Sequence, residues 1–150
     1  MKQLTLIKDK KYAARKCARP ISLRGANHIV LKSMRPVLRR HQPVIRGLIR
    51  EAQNRFGVKL RALAVMDDHV HLVVKVASRK QFADALRFLA GAIAQRISTA
   101  KVWTKRAWSR PIKVVRDLQT VESYVARNSI KAGVYTTGDA YFILNGVLQL

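Results

Sequence analysis

The hydrophobic pattern of this 150-residue sequence predicts one α+β domain. Apolar runs of strand length alternate with stretches at helical spacing. Two strand-like runs are separated by only two acidic residues, which marks a hairpin. Hydrophobic residues make up 49% of the chain, enough for a real core at a length common for single domains.

Taken in order, residues 27–32 are a short apolar run suited to a strand. Val44, Ile45, Leu48, Ile49, Ala52 and Phe56 then recur at helical spacing until Gly57 stops the helix. Residues 59–66 and 69–76 read as two strands joined by a tight Asp67-Asp68 turn. Residues 81–97 follow as a helix, with Phe82, Ala85, Leu86, Leu89 and Ile93 on one face. After a basic, tryptophan-bearing connection, residues 112–115 make a fourth strand, and Asp117 caps a third helix that Gly133 ends. The order β-α-β-β-α-β-α matches the split βαβ, ferredoxin-like plan, an antiparallel sheet with its helices on one face. No internal repeat or low-complexity linker divides the chain. Residues 1–150 are therefore read as a single domain with a basic arm over about residues 1–24.

Charge narrows the choice of partner. Lys and Arg number 30 against 8 Asp and Glu, a formal net charge of +22. Such a surplus concentrates polyanions around the protein and speeds their association, so nucleic acid is the expected ligand. A membrane partner is disfavoured, because no stretch approaches about 18 uninterrupted apolar residues. The basic residues are also spread along the whole chain instead of lying on one helix. Cys17 is the only cysteine, which excludes a disulfide framework and a thiolate zinc site. A cytoplasmic location is the expectation that follows.

The candidate chemistry begins at Met66-Asp67-Asp68-His69-Val70-His71-Leu72. A strand sends residues i and i+2 to the same face, so His69 and His71 project side by side while Val70 and Leu72 enter a core. Their Cα atoms would be roughly 6.5 to 7 Å apart, close enough for both imidazoles to grip one divalent cation. Two solvated histidines, or two satisfied by backbone and carboxylate partners, would show the same spacing.

A second constellation lies in Tyr124-Val125-Ala126-Arg127-Asn128-Ser129-Ile130-Lys131-Ala132-Gly133. Leu118, Val121 and Val125 supply a buried stripe, whereas Tyr124, Asn128 and Lys131 share a neighbouring face. A hydroxyl, a carboxamide and an ammonium are thus aligned. An amphipathic tyrosine at the core edge, with Lys131 complementing the helix C-terminus, fits this helix equally well.

In combination the two motifs are more specific. Met-Asp-Asp-His-Val-His-Leu, followed some 50 residues later by Tyr-x-x-x-Asn-x-x-x-Ala-Gly, resembles the Y1 family of single-tyrosine HUH transposases, and most nearly its REP-associated branch. The likeness runs from Gly25-Ala26-Asn27-His28-Ile29 through Val102-Trp103 and Arg110-Pro111 to Gly133-Val134. It implies that His69 and His71 bind a metal, Mg²⁺ or Mn²⁺, with Asn128 as third ligand and Tyr124 as nucleophile. In that family the metal polarises a phosphate of single-stranded DNA near a hairpin. The tyrosine attacks it, leaving a 5′-phosphotyrosine and a free 3′-hydroxyl, and reverse attack by the 3′-hydroxyl reseals the strand. A tyrosine with an ordinary pKa of about 10 needs such help at neutral pH. The resemblance also implies a bacterial, nucleoid-associated protein acting as a monomer or homodimer.

Two positions depart from the family pattern. Asp68 stands where an asparagine is usual, either altering the turn or adding a carboxylate near the metal, and it joins Lys131 as a residue that would assist catalysis. Ser129 replaces the proline after Asn128, which leaves the pose of Asn128 open. For DNA contacts, Trp103 with Lys105, Arg106, Arg110 and Lys113 resembles a stacking platform on a phosphate-binding strip, shared with Trp108. Arg46 and Arg50, one turn apart, are placed to track a phosphate backbone. His28 is expected to make a structural bond, and the apolar tail over residues 141–150 to dock on the domain or on another subunit. A non-catalytic DNA- or RNA-binding protein, such as a domesticated transposase, is the alternative that charge alone would satisfy.

Overall fold

A computed structural model describes residues 18–98 and 100–131. The elements are β1 (Ala26–Lys32), α1 (Gln42–Phe56), β2 (Lys59–Val65), β3 (His69–Lys75), α2 (Arg79–Ile97), β4 (Trp108–Ile112) and α3 (Val115–Lys131). Gly57 closes α1 with a left-handed φ of 69°, its N–H donating to Gln53 O at 2.8 Å, so the predicted stop signal acts through backbone geometry. The Ser78 hydroxyl caps α2 by accepting from the Gln81 N–H at 3.1 Å. The Asp67-Asp68 turn closes with a bond from Met66 N to His69 O at 2.8 Å. Cys17, Gly133, most of the basic arm and the apolar tail lie outside the described residues.

The sheet runs β2-β3-β1-β4 with every neighbouring pair antiparallel. Inserting β3 between β1 and β2 is the split βαβ arrangement that the element order predicts. Placement of the helices differs from the expectation. Leu63, Val65, Val70 and Leu72 share one core with Ile45, Leu48 and Ile49 of α1 and Phe82, Leu89 and Ile93 of α2. The alternate residues Ala62, Ala64 and Val73 form a second core with Ala26, Ile112 and Val125 of α3. Because successive strand residues face opposite ways, α3 covers the sheet face that α1 and α2 leave free. The one-sided layout thus holds for two helices and not for the third. An alternation of large and small apolar residues made both faces of the β2–β3 hairpin worth burying.

The fourth strand also moves, from the predicted 112–115 to Trp108–Ile112. Pro111 and charged Arg110 disguise it in the sequence. Both are tolerated because β4 is an edge strand, paired only with β1. The segment before β1 packs on the domain: Asn27 accepts from Ser22 N at 2.8 Å and donates to Ser22 O at 2.9 Å. Gly25 is fixed by contact there, since a Cβ at that position would sit 1.9 Å from Ile112 O.

Candidate active site

β3 carries His69 and His71 on the face covered by α3, with ring centroids 4.7 Å apart and planes at 80°. Both imidazoles are held from behind. Nδ1 of His69 lies 2.5 Å from Asp68 Oδ1, and this bond holds the Asp68 carboxyl below the usual carboxylate range. Nδ1 of buried His71 lies 3.0 Å from Nε2 of His28, which β1 places on the same face. Desolvation, with the charges of His69 and His28, lowers His71 to about 4, and desolvation with Arg110 lowers His28 to about 4. Both are neutral at pH 7, so one ring donates and the other accepts. If His71 donates through Nδ1, its Nε2 carries a lone pair.

Nε2 of His71 is buried and without a hydrogen-bond partner among the described residues. Burying such an atom unpaired costs free energy, which makes it the natural point of attachment for a ligand. Two imidazoles with engaged Nδ1 atoms fit a divalent cation, because fixing the tautomer and ring orientation is what the outer partners of metal-bound histidines do. No three His, Cys, Asp or Glu side chains converge on a metal-sized site among the described residues. A third protein ligand must therefore be of another kind. Half-buried Asn128, a carboxamide on α3, is of a suitable type.

The helix that carries Tyr124 is pinned to β2 before and after it. Arg61 Nε donates to Glu122 Oε1 at 2.9 Å, with Glu122 buried, and the Ser129 hydroxyl reaches Leu63 O at 3.0 Å. Between these anchors Tyr124 stands half exposed, its ring centroid 5.6 Å from that of His71 and the planes at 88°. Ser129, the departure from the family proline, is completely buried and serves as an anchor. Asp68, the other departure, engages His69 through one oxygen and lies 3.9 Å from Lys32 Nζ through the other. Lys131 is exposed at the end of α3.

The expected nucleic-acid residues divide. Trp103 donates from Nε1 to Ala90 O at 2.8 Å and packs on the core beneath α1 and α2, so it is a structural residue. Trp108 is 52% exposed and meets the His28 ring at 5.4 Å, on the histidine face of the sheet. Lys105 and Arg106 border a cavity of about 440 Å³ with Val30, Lys32, Thr104 and Trp108. Arg110 is exposed on β4, close enough to act on His28, and Lys113 is exposed just beyond the strand. Arg46 and Arg50 are not brought to this site: α1 holds them on the other side of the sheet. A groove of about 690 Å³ on that side, lined by Arg19, Arg79, Phe82 and Leu86, contains none of the candidate catalytic residues. Sequence reasoning missed Glu122 and the position of Lys32 beside Trp108. The alternation of Ala26, His28 and Val30 was the available signal that His28 shares a face with His71.

Comparison with known proteins gives the same picture at the level of fold and family. A structure of a REP-associated tyrosine transposase bound to a REP hairpin superposes with a TM-score of 0.67 at 15% identity, covering 81% of this chain and 76% of that one. A Deinococcus radiodurans protein assigned provisionally as a transposase gives a TM-score of 0.51 at 18% identity, covering 75% and 97%. At such identities the likeness speaks for the fold. No curated protein matches the chain. The family model for IS200-like transposases matches residues 26–128, a span that begins at β1 and takes in the histidine strand and the tyrosine helix. By that match, the chain belongs to the IS200-like transposase family.

Proposed function

We propose that the protein is a metal-dependent enzyme that cuts and rejoins single-stranded DNA beside a hairpin, with Tyr124 as nucleophile. The observation that carries this reading is the meeting of Tyr124 with His71, whose inner nitrogen is engaged and whose outer nitrogen is buried and unpartnered. His69, His71 and Asn128 would hold Mg²⁺ or Mn²⁺, which when bound withdraws charge from the scissile phosphate. Imidazole ligands favour Mn²⁺ of the two.

Tyr124 Oη forms a bond to phosphorus as the bond from phosphorus to the 3′-oxygen breaks. The phenol gives up its proton and the departing oxygen takes one up, so the products are a 5′-phosphotyrosine and a 3′-hydroxyl. The covalent link conserves the phosphodiester energy, which lets the 3′-hydroxyl of a strand reverse the step without a nucleotide cofactor. Lys32, Lys105, Arg106 and Arg110 supply the positive wall along which the strand would lie.

The test is incubation with hairpin-bearing single-stranded DNA and Mn²⁺, followed by denaturing electrophoresis. A denaturation-resistant adduct in the wild type, lost in Tyr124→Phe and in His71→Ala, is expected. Cleavage that survives Tyr124→Phe overturns the assignment. Tight binding with no adduct from any hairpin substrate would leave a non-catalytic DNA-binding protein.

A further inference from the structure

Beside the histidines the sheet continues into a cleft whose exposed tryptophan floor none of the roles above explains. Val30 is the cross-strand partner of His71 on one side and of Trp108 on the other, so all three lie in one row across β3, β1 and β4. With strands about 4.8 Å apart, the Trp108 backbone is about 10 Å from that of His71. Trp108 remains 52% exposed, a large apolar surface left open on a folded chain whose other tryptophan is used for packing. The cavity it borders, about 440 Å³, falls in the size range of small-ligand sites.

The rim is fixed in place and positive. Thr104 bonds through its N–H and its hydroxyl to Lys32 O, at 3.0 and 3.2 Å, and Met34 N bonds to Val102 O at 2.8 Å. These bonds clamp the segment preceding β4 onto the end of β1, where Lys105 and Arg106 line the cavity together with Val30 and Trp108. Lys105 and Arg106 contribute positive charge, as does Lys32, whose Nζ lies 3.9 Å from Asp68 Oδ2, and no acidic side chain is among the lining residues.

We infer that this cleft is a nucleotide subsite: one unpaired base next to the scissile phosphate stacks on Trp108 over Val30, with its phosphate held by Lys105 and Arg106. The inference rests on the strand-cleavage reading for the position of the scissile phosphate. An aromatic platform accepts any base through its π-face, and the Thr104 hydroxyl is already committed to a backbone carbonyl. The subsite therefore reads the presence of a base far more than its identity.

The experiment measures binding of hairpin oligonucleotides with single-stranded flanks to the Tyr124→Phe chain, so that the DNA stays intact, while an abasic site is moved through each flank position. At one position the missing base should weaken binding about tenfold, in the range of a lost base–aromatic stack. That penalty should disappear in Trp108→Ala, return in Trp108→Phe, and stay small when one base is exchanged for another. Trp108→Leu, which keeps apolar bulk without a ring face, serves where the alanine variant is unfolded and should behave like it. If Trp108→Ala or Trp108→Leu weakens every oligonucleotide equally, or none, the subsite is refuted. Adduct formation by the wild type is scored separately. Adduct without the position-specific coupling removes the subsite and keeps the cleavage chemistry, whereas coupling without adduct keeps a base-binding site and removes the cleavage.

Discussion

His28 Nε2 and His71 Nδ1 meet at 3.0 Å across adjacent strands, with their rings stacked at 18°. This contact engages Nδ1 of His71 and leaves Nε2 for the proposed metal, which would make His28 a positioning residue. His28→Ala should lower affinity for Mn²⁺ by about 10- to 100-fold, the usual cost of removing an outer partner of a metal-bound histidine. Titration followed by calorimetry or by the Mn²⁺ resonance signal reads this directly. An unchanged affinity would show that His71 needs no such support.

Asp68 does for His69 what His28 does for His71, with a charge added. Asp68→Asn, which restores the residue usual in the family, should keep the turn and still offer an oxygen to Nδ1, yet weaken the metal by up to about tenfold. A larger loss, or complete loss, in the metal titration would mean that the carboxylate itself contacts the ion.

Acid should destabilise the metal-free protein in a defined window. His28 and His71 have folded-state values of about 4 against an unfolded value of 6.5. Above 6.5 both states are neutral at these positions, and the two histidines add no pH dependence. Between 6.5 and 4 the unfolded chain binds more protons, so stability falls as pH drops, by up to about 1.4 kcal/mol per unit for each histidine. Urea midpoints of the metal-free protein at pH 7.5 and 5 provide the measurement. Replacing both histidines with non-titrating residues should flatten that part of the profile.

Ser129→Ala deletes a buried hydroxyl that ties α3 to the Leu63 carbonyl, and should cost about 1–3 kcal/mol in denaturant unfolding. Its effect on DNA cleavage should exceed its effect on metal affinity, because two of the three proposed ligands are mounted on the sheet and only Asn128 travels with α3. Equal losses in both would argue that Asn128 holds the metal as firmly as the two histidines do.

The sequence made the sheet order, the first two helices and the histidine pair legible, because each rests on a local signal: an alternation, a Gly57 stop or a two-residue turn. The placement of α3 was less accessible. Its buried stripe includes Glu122 and Ser129, polar residues whose partners Arg61 and Leu63 come from β2 and become visible only after folding. The start of β4 was hidden for a related reason. Trp108 and Arg110 alternate with Ser109 and Pro111, a pattern that is coherent only once an edge position beside β1 is known. Arg46 and Arg50 satisfied a charge rule that is blind to which side of a sheet a helix will cover.

The unequal filling of the two sheet faces has an evolutionary consequence. Bulky aliphatic and aromatic side chains concentrate beneath α1 and α2, while the smaller core on the histidine face is lined by Ala26, Ala62, Ala64, Val73, Val125 and Ile112. Most of the stabilising apolar burial is therefore invested away from the surface that would meet DNA. On the proposed reading, the exposed side chains Tyr124, Trp108, Lys105 and Arg106 have surroundings that could change without eroding that larger core. A lineage of such proteins could diversify its targets quickly on an almost constant frame.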